Sequence, residues 1–125
     1  MLFKTISIIA IATAGLAPLQ AKAANGCSLA SYYGTPSDGY GYSSGKMTTS
    51  SGERFYPNDN TTAHRYLPFG TRLRVTNKSN GRSVIVRVND RGPFVAGRSL
   101  DLSYGAFSSI ASPSQGVVKV CYTKV

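Results

Sequence analysis

One histidine, two cysteines and five acidic residues are all that this chain of 125 residues offers for metal or acid-base chemistry. A lone imidazole and two thiols fall short of the four ligands of a usual zinc site. Asp38, Glu53, Asp59, Asp90 and Asp101 are scattered, which leaves no acidic cluster for a calcium loop. No metal and no cofactor are expected. Serine is plentiful, yet none sits in a nucleophile-elbow motif, and the glycine-rich stretches lack the phosphate-loop pattern. Long apolar runs are missing too: Ile6 to Leu16 is too short to cross a bilayer comfortably, and no later run is long enough.

What is present at the start reads as an export signal. Lys4 precedes the apolar run, and the small-residue site Ala21-Lys22-Ala23 follows it. Residues 1–23 are therefore expected to be a cleaved signal peptide, and residues 24–125 one domain in the periplasm or outside the cell. Cys27 and Cys121 stand near the two ends of that domain, in a chain bound for an oxidising compartment, so a disulfide joining them is expected. A cysteine just after a signal can instead carry lipid. Ala24-Asn25-Gly26 lacks the aliphatic residue that lipidation needs three places before the cysteine, so no stable membrane anchor is expected.

Charge narrows the partners. The formal net charge is +9, and loss of Lys4 and Lys22 leaves twelve basic residues against five acidic ones. Basic proteins attract nucleic acid, anionic membranes and anionic wall polymers alike. Export disfavours nucleic acid, which leaves the carboxylates of a cell wall. The chain is expected to work as a monomer.

From Asn25 onward, short alternating or β-branched runs are separated by Gly, Asn, Ser and Pro, an all-β pattern. Strands are predicted at Ser28 to Tyr33, Thr71 to Asn77, Ser83 to Asn89, Ser99 to Leu102 and Gly116 to Thr123. One short helix is predicted over Tyr104 to Ala111, with Ser103 as its N-cap. Leu73 and Val75, then Val84, Val86 and Val88, alternate around Lys78-Ser79-Asn80-Gly81, which reads as a hairpin with an Asn-Gly turn. Arg72, Arg74, Arg82 and Arg87 fall at the polar positions and read as solvated charges, or else as contacts to glycan or another wall polymer. Gly34 to Ser51 reads as a long loop in which Tyr40 and Tyr42 offer flat faces to sugars or pack in the core.

With metals and triads set aside, carboxylate chemistry of the kind that cleaves glycosidic bonds remains. Such a site needs one carboxyl group to protonate the leaving oxygen and a second group to stabilise the charge at the anomeric carbon. Asp90 and Glu53 are the candidates. Asp90 ends the apolar strand and opens Arg91-Gly92-Pro93-Phe94, a junction where a rigid element can aim a side chain into a groove. An Asp turn ion-paired to Arg91 is the plainer account. Asp38 and Asp59 lie in turn sequence where local backbone bonding suffices.

The runs Thr62-Ala63-His64-Arg65-Tyr66-Leu67-Pro68-Phe69-Gly70-Thr71, Val75-Thr76-Asn77, Asn80-Gly81-Arg82-Ser83-Val84 and Val86-Arg87-Val88-Asn89-Asp90-Arg91-Gly92-Pro93-Phe94 resemble the rare lipoprotein A family. Gly97-Arg98, Leu100-Asp101-Leu102-Ser103, Ala30-Ser31-Tyr32-Tyr33-Gly34 and Ser51-Gly52-Glu53-Arg54-Phe55 extend the resemblance over nearly all of the mature chain. It implies an all-β, six-stranded double-psi β-barrel with one or two short helices, a fold shared with expansins, certain endoglucanases and one class of lytic transglycosylase. It further implies a lytic transglycosylase, a lyase cleaving peptidoglycan glycan strands, preferably without stem peptides, to 1,6-anhydromuramic ends.

By the same resemblance Glu53, His64 and Asp90 line the catalytic groove. Asp90 takes the acid/base role with Glu53 as partner, an assignment that can be exchanged. His64 orients a carboxylate or a sugar hydroxyl and makes the site sensitive to pH near neutrality, or else is a hydrogen-bonded structural residue. Asp101, Arg91, Tyr33 and Arg65 are expected to contact substrate, although helix capping and a buried hydrogen bond are a simpler account of Asp101. Two departures from better-known members are expected, the lack of a C-terminal peptidoglycan-binding repeat domain and the poor lipidation motif, and the insertion from Tyr40 to Thr49 with the cysteine pair is expected to mark a subgroup. The alternatives are a non-catalytic, expansin-like wall-binding module and a secreted protein-binding or inhibitor barrel.

Overall fold

The computed structural model describes residues 25–37 and 47–125. The expected signal peptide, together with Asp38, Tyr40 and Tyr42 of the long loop, lies outside the described residues. Among the described residues six strands close into a barrel: β1 (Gly26–Tyr33), β2 (Thr61–Ala63), β3 (Arg72–Asn77), β4 (Ser83–Asp90), β5 (Arg98–Ser103) and β6 (Val118–Lys124). Their order around the barrel is β1-β5-β2-β4-β3-β6. The seams β1/β5 and β2/β4 are parallel, and the other four are antiparallel. A barrel leaves no unpaired edge.

Alternation builds the walls. Leu73 and Val75 of β3 and Val86 and Val88 of β4 point inward, while Arg72, Arg74 and Arg87 are exposed. Leu100 and Leu102 of β5, with Val118 and Val120 of β6, complete the same core. The helix α1 (Tyr104–Ile110) closes one end with Ala106, Phe107 and Ile110. Its start is set as expected, since Ser103 Oγ accepts the Ala106 N–H at 3.2 Å. Its last carbonyl, on Ile110, accepts from the side chains of Asn77 and Asn80.

The hairpin β3–β4 forms, but its turn is wider than a two-residue Asn-Gly turn. Asn77 N–H donates to Arg82 at 2.8 Å, enclosing residues 78–82. A two-residue turn of that type requires positive φ at both central residues. Here only Gly81 has it, at 75°. The side chains of Asn77 and Asn80 supply the missing order by accepting the N–H groups of Ser79 and Arg82.

Strand β2 escaped the sequence pattern because Thr61, Thr62 and Ala63 are all buried, so no alternation marks it. It lies between β5 and β4 in the wall, with the 57–59 segment close by. That segment approaches α1 closely: Gly105 N–H donates to Pro57 at 2.8 Å, and a Cβ on Gly105 would stand 2.9 Å from Asn58 Cα. Gly34 is equally confined, with φ +69° and the Phe55 ring where a Cβ would be. The predicted disulfide Cys27–Cys121 is present, joining register partners on β1 and β6. Among the described residues no helix is long and apolar enough to cross a membrane.

Candidate active site

The site lies on the outer face of the sheet formed by β1, β5, β2 and β4. Side chains two apart on a strand share a face, and register partners share it across strands. Ser31 pairs with Asp101, Asp101 with Ala63, and Ala63 with Asp90. The β2/β4 register shifts between Thr62 and Ala63, so that Thr62 faces Val88 while Ala63 faces Asp90. Asn89 is therefore the extra residue of a bulge, a device that re-aims a side chain. Without it, Asp90 would turn inward with Val86 and Val88.

Asp90 is held by three donors. Its Oδ1 accepts the N–H groups of Ser50 and Arg91, each at 2.9 Å, and its Oδ2 accepts the Tyr33 hydroxyl at 2.8 Å. The Tyr33 ring in turn packs on Phe55, 4.7 Å between centroids. The suggested ion pair with Arg91 is not formed. Arg91 instead donates to the His64 and Leu67 carbonyls and stacks over Phe69, 3.9 Å from its centroid.

Glu53 lies toward the Arg87 and Asn89 side of β4. Both of its oxygens meet Arg87, at 2.9 and 3.2 Å, and Oε1 also accepts the Asn89 amide at 2.6 Å. This is the single salt bridge among the described residues. Hydrogen bonding to Arg87 holds the Glu53 carboxyl below its ordinary range, against a smaller opposing effect of burial. A polar cleft of about 320 Å³ opens here between Glu53, Arg54, Tyr56, Asp59, Arg87 and Asn89. Neither the Arg87 contact nor the Asn89 contact was foreseen. The only sequence signal is that both residues sit within three places of Asp90.

His64 is almost fully buried, at 2% exposure, and its Nδ1 accepts the N–H groups of Tyr66 and Leu67. Burial, reinforced by Arg65 and Arg91, pushes its pKa down to about 4. Protonation of Nδ1 would place a donor against two N–H groups, which acts in the same direction and favours the neutral imidazole. The imidazole ties the 64–67 turn, and His64 N–H bonds the Asp90 carbonyl at 3.1 Å. A depressed histidine pKa means that the unfolded chain binds the extra proton between the two values. Stability should therefore fall as pH drops from about 6.5 toward 4. Thermal melts at pH 7 and pH 5 test this, and equal midpoints would refute it.

Asp101 is half-buried on β5 and does not cap α1, a role taken by Ser103. Its Oδ1 accepts the Ser31 hydroxyl at 3.0 Å. Burial raises its pKa, the Ser31 bond and the Arg98 charge act against that rise, and the Asp90 charge adds to it. Arg65 is exposed beside the turn, and among the described residues no group of three metal-ligating side chains assembles.

Residues 25–122 match the model of the family described as lytic transglycolase. The chain belongs to that family. The closed barrel is the family's double-psi β-barrel. Curated relatives of this lytic transglycolase family member include a probable endolytic peptidoglycan transglycosylase RlpA of Nostoc, 54% identical over 74% of this chain and 24% of its own length. Another, from Synechocystis, is 52% identical over 74% of this chain and 26% of its own length. The chain thus spans about a quarter of these relatives. Among solved structures, a Streptomyces papain inhibitor shares the fold with TM-score 0.62 at 22% identity, covering 81% of this chain and 94% of the inhibitor. An expansin of Clavibacter michiganensis shares it with TM-score 0.60 at 24% identity, covering 81% and 50%. At these identities both show the fold alone.

Proposed function

We propose that this chain is a lytic transglycosylase that cleaves peptidoglycan glycan strands, preferably those without stem peptides, leaving 1,6-anhydromuramic ends. The observation that carries the reading is Asp90, re-aimed by a bulge onto the outer face and fixed there by Tyr33, Ser50 and Arg91, in a chain whose relatives are named endolytic peptidoglycan transglycosylases. In this reaction the C6 hydroxyl of the muramic residue attacks its own anomeric carbon, so no water is consumed. A proton enters on the leaving oxygen and another leaves the attacking hydroxyl. Asp90 is the acid/base group of this scheme. Glu53, held ionised by Arg87, supplies a fixed negative charge for the oxocarbenium-like transition state. Tyr33 orients Asp90, while His64 and Arg91 hold the turn that borders it. Arg65, exposed beside the turn, meets carboxylates of the wall in this reading.

The reading includes residues 1–23 as a cleaved signal peptide and 24–125 as one monomeric barrel domain, acting in the periplasm or outside the cell without a stable membrane anchor. Peptidoglycan, not nucleic acid, is the partner. Digestion of purified peptidoglycan, both intact and stripped of stem peptides, with mass spectrometry of the soluble products, is the test. Anhydromuramic ends from the stripped glycan are expected. Binding without release would leave a wall-binding module and overturn the enzymatic reading, and reducing ends would point to a hydrolase.

A further inference from the structure

We infer that the two proton transfers of the reaction are divided between two carboxyl groups, with Asp101 donating to the leaving oxygen and Asp90 accepting from the attacking hydroxyl. The inference rests on the proposed transglycosylase reading and deepens it by moving the proton-donor half of the acid/base role from Asp90 to Asp101. Three observations carry it: the shared register partner Ala63, the hydrogen bonds already made to Asp90 and the single one made to Asp101.

Ala63 is the register partner of both carboxyl residues, Asp90 on β4 and Asp101 on β5. Adjacent strands lie about 4.8 Å apart, so the two backbones stand roughly 10 Å apart with a methyl group between them. The two carboxyl residues thus stand on either side of the buried Ala63, on the scale at which paired carboxyls bracket a glycosidic bond.

Asp90 is loaded as an acceptor. A carboxylate has about four lone-pair positions. Two N–H groups occupy Oδ1 and the Tyr33 hydroxyl occupies one position on Oδ2. One acceptor position remains, and it suits the proton of an incoming hydroxyl. To donate, Asp90 would first have to carry a proton among three donors already aimed at it.

Asp101 has the opposite setting. Among the described residues its carboxyl accepts one hydrogen bond, from Ser31 on β1. The other groups acting on it are Arg98 on its own strand and Asp90 across β2, while β2 itself presents the uncharged Ala63. Burial and the Asp90 charge favour its protonated form, in the direction a donor needs. Glu53 is set the other way, because its bonds from Arg87 and Asn89 favour the carboxylate form.

The step balances. Asp101 gives its proton to the glycosidic oxygen, which leaves with the electron pair of its bond to the anomeric carbon. The C6 oxygen forms the new bond to that carbon and passes its proton to Asp90. Exchange with solvent then returns a proton to Asp101 and removes one from Asp90.

Asp101→Asn tests the division, assayed on wall glycan and on a muramyl glycoside whose dinitrophenolate leaving group needs no protonation. The expected result is a loss of about 100-fold on wall glycan, with activity on the activated glycoside within a few-fold of wild type. Asp90→Asn should fail on both substrates. The alkaline limb of the wild-type kcat/KM profile should be absent from Asp101→Asn. Ser31→Ala, which removes a contact that lowers the Asp101 pKa, should move that limb to higher pH and stands as a second measurement if Asp101→Asn does not fold. Equal losses on both substrates, no loss on either, or an unmoved limb in Ser31→Ala would overturn the division while leaving the transglycosylase reading intact. A wild type that turns over neither substrate overturns both.

Discussion

Asp90→Asn should release anhydromuramic ends at about one thousandth of the wild-type rate, within the range that a positioned acid-base group contributes, with its melting temperature nearly unchanged. The asparagine oxygen can still accept the N–H groups of Ser50 and Arg91, which both bond Oδ1 in the wild type. Its amide nitrogen would then face the Tyr33 hydroxyl, and a hydroxyl can turn from donor to acceptor. The surrounding geometry is thereby kept while the ability to take a proton is lost. Timed mass spectrometry of the soluble products, alongside thermal melts, checks both halves. A rate within tenfold of wild type would remove Asp90 from the chemistry. A large fall in melting temperature would mean that its three hydrogen bonds serve the fold first.

The barrel was legible wherever one side of a strand meets water. Leu73, Val75, Val86 and Val88 alternate with exposed Arg72, Arg74 and Arg87, and that contrast marks β3 and β4 in the sequence. It vanishes in β2, where Thr61, Thr62 and Ala63 are all buried. Missing β2 had a consequence for the site. Only this three-residue strand places Asp90 and Asp101 on either side of Ala63, so their relation could not be read from residues eleven places apart. Asp90 was recognisable from the run around it, but the bulge at Asn89 that turns it outward is a matter of register. The Glu53–Arg87 pair spans 34 residues and has no local pattern. His64 carried two readings in the sequence, one in the chemistry and one as a hydrogen-bonded structural residue. A single histidine near carboxylates suggests acid-base work, and its burial with two N–H groups on Nδ1, which ties the 64–67 turn, has no local pattern to announce it. The cysteines were the easiest part, because position and compartment pointed to one pairing.

That pairing carries the largest expected effect on stability. Cys27 and Cys121 are 94 residues apart in sequence yet are register partners on β1 and β6. Closing a loop of this length removes unfolded-chain entropy equivalent to roughly 4.7 kcal/mol in the chain-entropy model. A domain of this size has about 5–15 kcal/mol of stability in all, so the bond is a large part of the total. The two strands are already held in register by their own ladder, and β1 also pairs with β5 while β6 pairs with β3. The effect therefore falls mainly on the unfolded chain. At about 4–8 °C per kcal/mol for a domain of this length, the double substitution Cys27→Ser and Cys121→Ser should melt roughly 20–35 °C below wild type, and reductant should lower the wild type to a similar midpoint. Losing β1 would also remove Ser31 and Tyr33, the partners of Asp101 and Asp90. Activity should consequently disappear along the melting curve of the substituted protein, well below the temperature at which wild type fails. A drop of less than about 5 °C would mean that the unfolded chain keeps its ends close without the bond.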